Sequence, residues 1–236
     1  MSPDGFSVHT TLDGHGATIT AMEFSPDGRF LASAGDDGVV LIFSTLSWTP
    51  VCRFIDVSPV SVLRWHRKKD NLLFCGHRNG DLHVLTMSKS MVSIHRRTPA
   101  VPLKNIKQKL AVVQISSFGG CIYSLSFSKI SPRVAVAYGN EVALTDLIPN
   151  PYRLKDDREH LPKPSTISYD HHKLGGPTVK SLQFVRDDHL VVTYAGHGIL
   201  CVPCLFPRIV LTCDSRVWDL HTMSVFGEIV PRTFPM

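Results

Sequence analysis

A six-residue pattern recurs four times along the chain without gaps. Its first position is β-branched, its fourth is Met or Leu, and its sixth is aromatic, while the second and fifth are mostly polar. The copies are Ile19–Phe24, Val60–Trp65, Ile122–Phe127 and Val179–Phe184. β-Branched and aromatic residues favour strands, and an internal repeat constrains the whole fold. Each copy therefore predicts the first strand of a repeated sheet unit, with its aromatic sixth position in the core.

Two further apolar segments follow each copy after short turns that contain Gly, Pro, Asp or Asn. In the first unit the turns read SPDG and AGDDG, and the strands are predicted at 29–34 and 39–43. Gly, Asn and Asp tolerate the positive φ values of tight hairpins. The later units place second strands at 71–76, 133–137 and 190–194, and third strands at 81–85, 141–144 and 198–201. Each unit is thus predicted to be a meander of three strands and a weaker fourth.

The spacing of the copies favours an all-β fold, a partial β-propeller of about four blades of antiparallel meanders. The aromatics Phe24 and Trp65 lie 41 residues apart, which matches the length of about 40–45 residues of a propeller blade. The later spacings of 62 and 57 residues leave room for insertions. We predict one domain over 1–236, with blades at roughly 12–50, 51–95, 115–148 and 177–230 and insertions at 96–110, 149–176 and 202–216.

The first unit resembles the WD-repeat β-propeller family. The likeness rests on Leu12-Asp-Gly-His15, followed by ITAMEFSPDGRFLASAGDDGVVLIFS at 19–44. The resemblance implies a hydrogen-bonded set of His15, Ser33 and Asp37. In such a set the imidazole links a hydroxyl to a carboxylate, which gives a buried charge the partner that it needs.

The chain also departs from the family pattern. Phe43 stands at the Trp position of the first unit. In the second unit Cys75, Asn79 and Leu85 stand at the positions of the hydroxyl, the Asp and the Trp, and no Gly-His pair precedes them. Members of the family mostly have seven blades, so four copies lead us to expect a truncated member.

The composition excludes several classes of protein. Apolar residues make up 43% and charged residues 19% of the 236 residues, which excludes wholesale disorder. A membrane-spanning helix needs about 18 consecutive apolar residues, and no apolar run in the chain approaches that length. The N-terminus lacks the basic start and the apolar stretch of a signal peptide. We therefore expect an intracellular protein, cytoplasmic or nuclear, whose six cysteines are thiols.

The excess positive charge lies in one segment. Lys plus Arg number 25 against 20 for Asp plus Glu, and the excess is carried by 96–110, which contains no acidic residue. The basic residues there are Arg96, Arg97, Lys104, Lys107 and Lys109. Because no aromatics are interleaved with them, the segment is typical of a solvated loop. The functional alternative is contact with a phosphate-bearing ligand, either nucleic acid or phosphoinositide.

No catalytic residue, cofactor or metal is predicted. The sequence contains neither a Gly-Lys-Ser/Thr phosphate loop nor a G-x-S-x-G elbow. Cys201-x-x-Cys204, with Cys213, His197 and His221 nearby, has a spacing that occurs in zinc sites. A structural zinc site usually shows two clean pairs, so core or accidental cysteines explain this one better.

Propeller geometry predicts a binding rim. In each blade the loop that enters the first strand and the turn after the second strand open onto one side, which is a frequent binding surface in the WD-repeat family. The rim residues are Thr18, Thr20, Asp36, Pro59, Ser61, Arg78, Tyr123 and Lys180. We predict a non-enzymatic scaffold that binds a protein or peptide partner in a larger complex. Binding of a phosphate-bearing ligand through 96–110 is the alternative.

Overall fold

The computed structural model is all-β. It describes residues 8–88, 110–149, 152–161, 178–186, 189–195, 198–203, 210–213, 216–219 and 224–228. These residues form 19 strands in four antiparallel sheets and contain no helix, so none of them belongs to a membrane-spanning helix. The predicted fold class, all-β with four antiparallel meanders, is confirmed.

The chain divides into two compact units. The first comprises Met1–His77 and His83–Val113, and the second comprises Arg78–Leu82 and Gln114–Met236. Each unit is built around a pair of stacked sheets with a core between them. That 1–236 acts as a single domain stays a prediction.

Two four-stranded sheets form the first pair, and their strands follow one another in chain order. The first sheet contains β1 (Ile19–Phe24), β2 (Phe30–Gly35), β3 (Val39–Ser44) and β4 (Pro50–Ile55). The second contains β5 (Val60–Trp65), β6 (Leu72–His77), β7 (Asp81–Met87) and β8 (Leu110–Ser117). Leu110, the last residue of the predicted insertion 96–110, therefore begins a strand.

Gly38 in the turn between β2 and β3 has a structural reason to be glycine. Its φ is +69°, a conformation that L side chains rarely adopt. A Cβ at this position would lie 2.3 Å from the backbone oxygen of Asp56. Because the amide of Asp56 donates to the carbonyl of Gly38 at 2.9 Å, this close approach fixes the path of the chain between β4 and β5.

The core of the first unit lies between β2 and β5. Ala32 and Ala34 are fully buried on β2 and belong to the same core cluster as Trp65 of β5. The Trp65 ring stacks on Phe30 with 6.3 Å between ring centroids. Its Nε1 donates to the carbonyl of Glu23 at 3.0 Å, and its amide donates to the Glu23 carboxylate at 2.9 Å. Apolar packing and hydrogen bonds thus join the two sheets at the same residue.

The third sheet contains β9 (Ile122–Phe127), β10 (Arg133–Tyr138) and β11 (Glu141–Ile148), with β12 (Arg153–Leu154) and β13 (Glu159–His160) both paired to β11. The fourth contains β14 (Thr178–Arg186), β15 (His189–Ala195), β16 (Gly198–Pro203), β17 (Val210–Cys213), β18 (Arg216–Asp219) and β19 (Ser224–Glu228), in chain order. The other two predicted insertions also contribute strands. Residues of 149–176 form β12 and β13, and β17 lies within 202–216.

Serine side chains join β9 to β14 in the second unit. The amide of Phe184 donates to Ser126 Oγ at 2.9 Å, and the amide of Leu182 donates to Ser124 Oγ at 3.2 Å. Leu182 and Phe184 pack in the core with Ala135 and Ala137 of β10. The second unit therefore repeats the arrangement of the first, in which small residues of one sheet receive the bulky residues of the next.

The expectation that the sixth position always lies in the core is wrong for Phe24. Trp65 and Phe184 are buried because they face the preceding sheet of their own unit, whereas the Phe24 side chain is 55% exposed. Phe24 pairs with Leu31 across the sheet, so it lies on the face opposite to Ala32 and the second sheet. No sheet of the first unit covers that face.

Candidate functional site

Three side chains of the first unit meet at one end of the first sheet. Ser33 lies on β2, Asp37 in the following turn, and His15 in the segment before β1. His15 Nε2 lies 2.8 Å from Ser33 Oγ, and its Nδ1 lies 3.1 Å from the nearer oxygen of Asp37. Because a carboxylate only accepts hydrogen bonds, Nδ1 carries the proton and Nε2 accepts from the serine hydroxyl.

Asp37 is the centre of this set. Its carboxylate accepts hydrogen bonds from the amides of Gly16 at 2.8 Å and Val39 at 3.1 Å, as well as from His15. Burial acts to raise the pKa of Asp37, but the hydrogen bonds from Gly16, Val39 and His15 outweigh it, and the pKa falls below 3.8. The set therefore holds a charged carboxylate that ties residues before β1 to the β2–β3 turn.

The combination of Ser, His and Asp also occurs in hydrolases, but the geometry here serves the fold. A nucleophilic serine must meet the carbonyl of its substrate. Ser33 is only 4% exposed, so its hydroxyl is closed to a substrate. The arrangement locks the turn in place, and catalysis does not follow from it.

The same positions of the second sheet hold different chemistry. Asp56 stands four residues before β5, as His15 stands four residues before β1, and Cys75 stands at the position of Ser33. The Asp56 carboxylate lies near the imidazoles of His77 and His83. Among the described residues this is the group that could hold a metal ion. The sequence analysis predicted no metal site and did not identify these three residues.

The predicted rim residues of the first unit are partly used by the fold. The Thr20 hydroxyl donates to the carbonyl of Val60 at 2.6 Å, and the Ser61 hydroxyl donates to the carbonyl of Gly76 at 3.0 Å. Thr18 is exposed, and its carbonyl accepts from the amide of Asp36 at 2.9 Å. Asp36 and Pro59 are half-buried. Contact of these residues with a partner stays a prediction.

The second unit holds the other predicted rim residues. Lys180 Nζ lies 6.0 Å from the centroid of the Tyr123 ring, within the range of a cation–π contact. Tyr123 and Lys180 are exposed on the neighbouring strands β9 and β14. Arg78 is exposed in the turn after β6. An aromatic ring and a cation therefore lie together on an accessible surface, and binding of a partner there stays a prediction.

A row of exposed apolar side chains, here named the β1 strip, consists of Ile19, Met22 and Phe24. Met22 is 65% exposed. These residues occupy the first, fourth and sixth positions of the six-residue pattern, and their counterparts on β5 and β14 are buried against a preceding sheet. The β1 strip is therefore a sheet-docking face without a sheet of its own unit upon it. The sequence shows the apolar side chains of the β1 strip, because the six-residue pattern is the same in all copies. It does not show that they are exposed, because exposure depends on whether another sheet packs on them.

Other predicted residues lie outside the described parts. The basic residues of 96–110 all fall within 89–109, which the structure does not describe. His197, Cys204 and His221 fall in later stretches that are also outside the described residues. Cys201 and Cys213 lie in β16 and β17, where only the backbone is described. The structure therefore tests neither the phosphate-binding segment nor the zinc site with Cys201 and Cys204, and both stay hypotheses from the sequence.

A family model described as WD domain, G-beta repeat matches residues 6–44. Among curated relatives, the ribosome biogenesis protein ERB1 of Ajellomyces capsulatus is 30% identical over 87 residues, which are 36% of this chain and 11% of that protein. Its namesake from Aspergillus fumigatus is 31% identical over 86 residues, 35% of this chain and 11% of that protein. The chain thus matches about a tenth of the length of these relatives.

Solved structures share the fold at low sequence identity. A chain of the mitotic checkpoint complex superposes with a TM-score of 0.57 at 16% identity, over 82% of this chain and 51% of that chain. The computationally designed Ika8 protein gives 0.56 at 19% identity, over 92% of this chain and 63% of its own. The designed Ika4 protein gives 0.52 at 19% identity, over 82% and 95%.

Proposed function

We propose that this chain is a non-enzymatic scaffold of the WD-repeat β-propeller type, which binds a protein or peptide partner in a larger complex. The WD repeat at 6–44 supports the proposal. So does the closed Ser33–His15–Asp37 set, whose polar groups hold the fold together and leave no accessible nucleophile.

The observation that carries the proposal is the β1 strip. Burial of an apolar side chain of the size of Met or Phe contributes about 1.5–3 kcal/mol. Two such side chains and Ile19 stand exposed side by side on one strand. Single exposed apolar residues need no explanation, but a contiguous row indicates an interaction site.

The buried copies of the pattern indicate the chemistry of the partner surface. The counterparts on β5 pack on the fully buried Ala32 and Ala34, and the counterparts on β14 pack on Ala135 and Ala137. The β1 strip is therefore suited to a β-sheet face with small apolar side chains. We infer that a folded protein with such a face binds here, and that Tyr123, Lys180 and Arg78 offer a separate polar surface in the second unit.

The curated relatives support a role in ribosome assembly. They are ribosome biogenesis proteins, and the chain matches a small part of each. A scaffold in such an assembly would work inside the cell, in the nucleus or the cytoplasm. The comparisons give no support to a phosphate-bearing ligand at 96–110.

The test is sedimentation of the tagged full chain with pre-ribosomal particles from the source cell, with precursor rRNA as the marker. We expect the wild-type chain to sediment with the particles, and the double variant Met22→Asp/Phe24→Asp to remain at the top of the gradient. Ile130→Asp is the matched control, because Ile130 is also an exposed apolar residue and lies in the second unit. It should sediment as the wild type does.

Two other results would count against the proposal. If the double variant sediments as the wild type does, the β1 strip is not the docking surface. If the wild type never sediments with the particles but forms dimers that the double variant loses, as measured by analytical ultracentrifugation, the strip joins two copies of the chain.

A further inference from the structure

We propose that Asp56, His77 and His83 bind a divalent transition-metal ion of the zinc class. Asp56 follows β4, His77 ends β6, and His83 lies on β7, so all three belong to the first unit. One ligand atom from each lies within 4.8 Å of the others. Imidazole nitrogen and carboxylate oxygen are the ligands that zinc takes in proteins when thiolates are absent.

His77 is oriented as metal-bound histidines are. Its ring is completely buried, and Nδ1 lies 3.2 Å from the backbone carbonyl of Ser58. A carbonyl only accepts hydrogen bonds, so Nδ1 carries the proton and the lone pair is on Nε2. A metal-ligating histidine usually donates its other ring N–H to a carbonyl or carboxylate, which fixes both the tautomer and the ring. The Ser58 carbonyl supplies that contact here.

His83 and Asp56 face each other at the same place. Nδ1 of His83 lies 3.7 Å from Oδ2 of Asp56, and their side chains are only 13% and 16% exposed. This nitrogen is buried and makes no hydrogen bond. The other oxygen of Asp56 accepts from the amide of Ser58 at 3.1 Å, which leaves Oδ2 directed toward the histidines. A buried polar atom without a hydrogen bond is costly, and a metal ion would satisfy it.

The cluster needs only a small contraction to coordinate zinc. Zinc–ligand bonds of about 2.0–2.2 Å in a tetrahedral site place neighbouring ligand atoms about 3.3 Å apart. The separations of at most 4.8 Å therefore have to shrink by no more than about 1.5 Å. The pair formed by His83 Nδ1 and Asp56 Oδ2, at 3.7 Å, is already close to the required distance. The ring centroids of the two histidines are already 4.8 Å apart, and Phe54 packs against both. Three protein ligands leave a fourth position for water.

Cys75 is not counted among the ligands. The ligand atoms that lie within 4.8 Å of one another belong to Asp56, His77 and His83, and the Cys75 sulfur is not among them. The cluster is therefore a nitrogen and oxygen site, and this distinguishes it from any site that the cysteines elsewhere in the chain would form.

The experiment uses the full-length chain, stripped with a chelator and kept reduced. It is titrated with Zn²⁺ alone in a thermal unfolding assay and with Co²⁺ alone in an absorption assay. At a zinc concentration of 100 Kd we expect the Tm to rise by about 5–10 °C. We expect one equivalent of Co²⁺ to give the visible bands of a four-coordinate site without the near-ultraviolet band of cobalt–thiolate bonds.

Two variants and a control locate the ion. His83→Gln and Asp56→Asn each remove one direct ligand of the ion. Loss of an outer-shell partner weakens metal binding about 10–100-fold, so the Kd of each variant for Zn²⁺ should rise by more than that. His160→Gln removes a half-exposed histidine of the second unit and should bind as the wild type does. The proposal is wrong if Zn²⁺ leaves the wild-type Tm unchanged. It is also wrong if Co²⁺ shows the thiolate band, or if both ligand variants keep wild-type affinity. The wild-type titrations decide the matter even if a variant fails to fold.

Discussion

Replacement of Asp37 by asparagine tests whether the His15–Ser33–Asp37 set stabilises the first unit. The carboxylate accepts three hydrogen bonds, from Gly16, Val39 and His15. The carboxamide that replaces it would offer one oxygen, and its NH₂ group would face an N–H donor. A hydrogen bond to a charged group contributes about 1.5–3 kcal/mol, and a buried unsatisfied donor costs about 1–3 kcal/mol. These terms overlap, so we expect a loss of about 2–4 kcal/mol.

The measurement is urea unfolding of the full chain at pH 7, followed by circular dichroism. Asp13→Asn is the matched control, because Asp13 is an exposed carboxylate in the same segment as His15. Exposed positions of this kind usually change stability by no more than about 0.5 kcal/mol. A loss of under about 0.5 kcal/mol for Asp37→Asn as well would refute the reasoning.

The pH dependence provides a second check with a fixed sign. The hydrogen bonds from Gly16, Val39 and His15 lower the pKa of Asp37 below 3.8 against the opposing effect of burial. A carboxyl with a lowered folded pKa contributes stability that is fully present above its unfolded pKa and is lost as pH falls through the folded value. The deficit of Asp37→Asn should therefore be constant from pH 7 to 5 and shrink below about pH 4. A deficit that stays constant to pH 2 would show that the charge of Asp37 is not what stabilises the set.

Three further substitutions test the packing of the first unit. Burial raises the pKa of Glu23 above 4.5, and a raised carboxyl pKa gives stability that is lost as pH rises through the folded value. As the pH rises from 4 to 7, the urea midpoint of Glu23→Gln should therefore increase relative to that of the wild type. A difference between the two midpoints that does not change with pH would contradict this. Gly38→Ala should destabilise by more than about 1 kcal/mol, because its φ is +69° and a Cβ would meet the Asp56 oxygen; Gly16→Ala, with open space around it, is the control. Trp65→Phe removes the 3.0 Å hydrogen bond to Glu23 but keeps a ring, so a loss of about 1–2 kcal/mol in urea unfolding is expected, and no loss would contradict it.

The sequence specified the repeated strands well, because their period and turn chemistry are local. The first three copies of the pattern coincide with β1, β5 and β9, and the fourth lies within β14. Turn glycines such as Gly38 mark the hairpins between strands. Local preferences and tertiary packing agree at these positions, which is why a single sequence sufficed.

The added strands were not predicted, because they depend on a neighbouring edge. Arg153–Leu154 and Glu159–His160 are short, polar and flanked by prolines, and they pair only because β11 offers an unpaired edge. Exposure of Phe24 was missed for the same reason, since burial of the sixth position requires a preceding sheet. Pattern fixes which face a side chain occupies, and the neighbouring sheet decides whether that face is covered.

No sequence motif indicated the cluster of Asp56, His77 and His83. Its members are 21 and 6 residues apart, which matches no common spacing of metal ligands. One local signal existed. His77 ends the otherwise apolar strand LLFCGH, and a histidine at a buried strand position needs a partner. Which partner it meets depends on the stacking of two sheets.

Comparison of the two sheets separates stabilisation from binding. In the first, His15 lies between Ser33 and Asp37, and every polar atom of the set has a partner within the fold. In the second, Asp56 occupies the position of His15 and faces His83 at 3.7 Å, a distance too long for a hydrogen bond. The first set should thus add stability without metal, whereas the second should add it only with metal.

This difference gives a prediction that neither site gives alone. Asp37→Asn should lower the Tm equally with and without Zn²⁺, so that the increment caused by zinc is the same as in the wild type. His83→Gln should abolish that increment. The hydrogen bonds described for the Asp37 carboxylate come from Gly16, Val39 and His15 and from none of the three proposed metal ligands, so we expect the two effects to add. If Asp37→Asn also removed the zinc increment, the two sets would act as one polar network, and the separate roles given to them would be wrong.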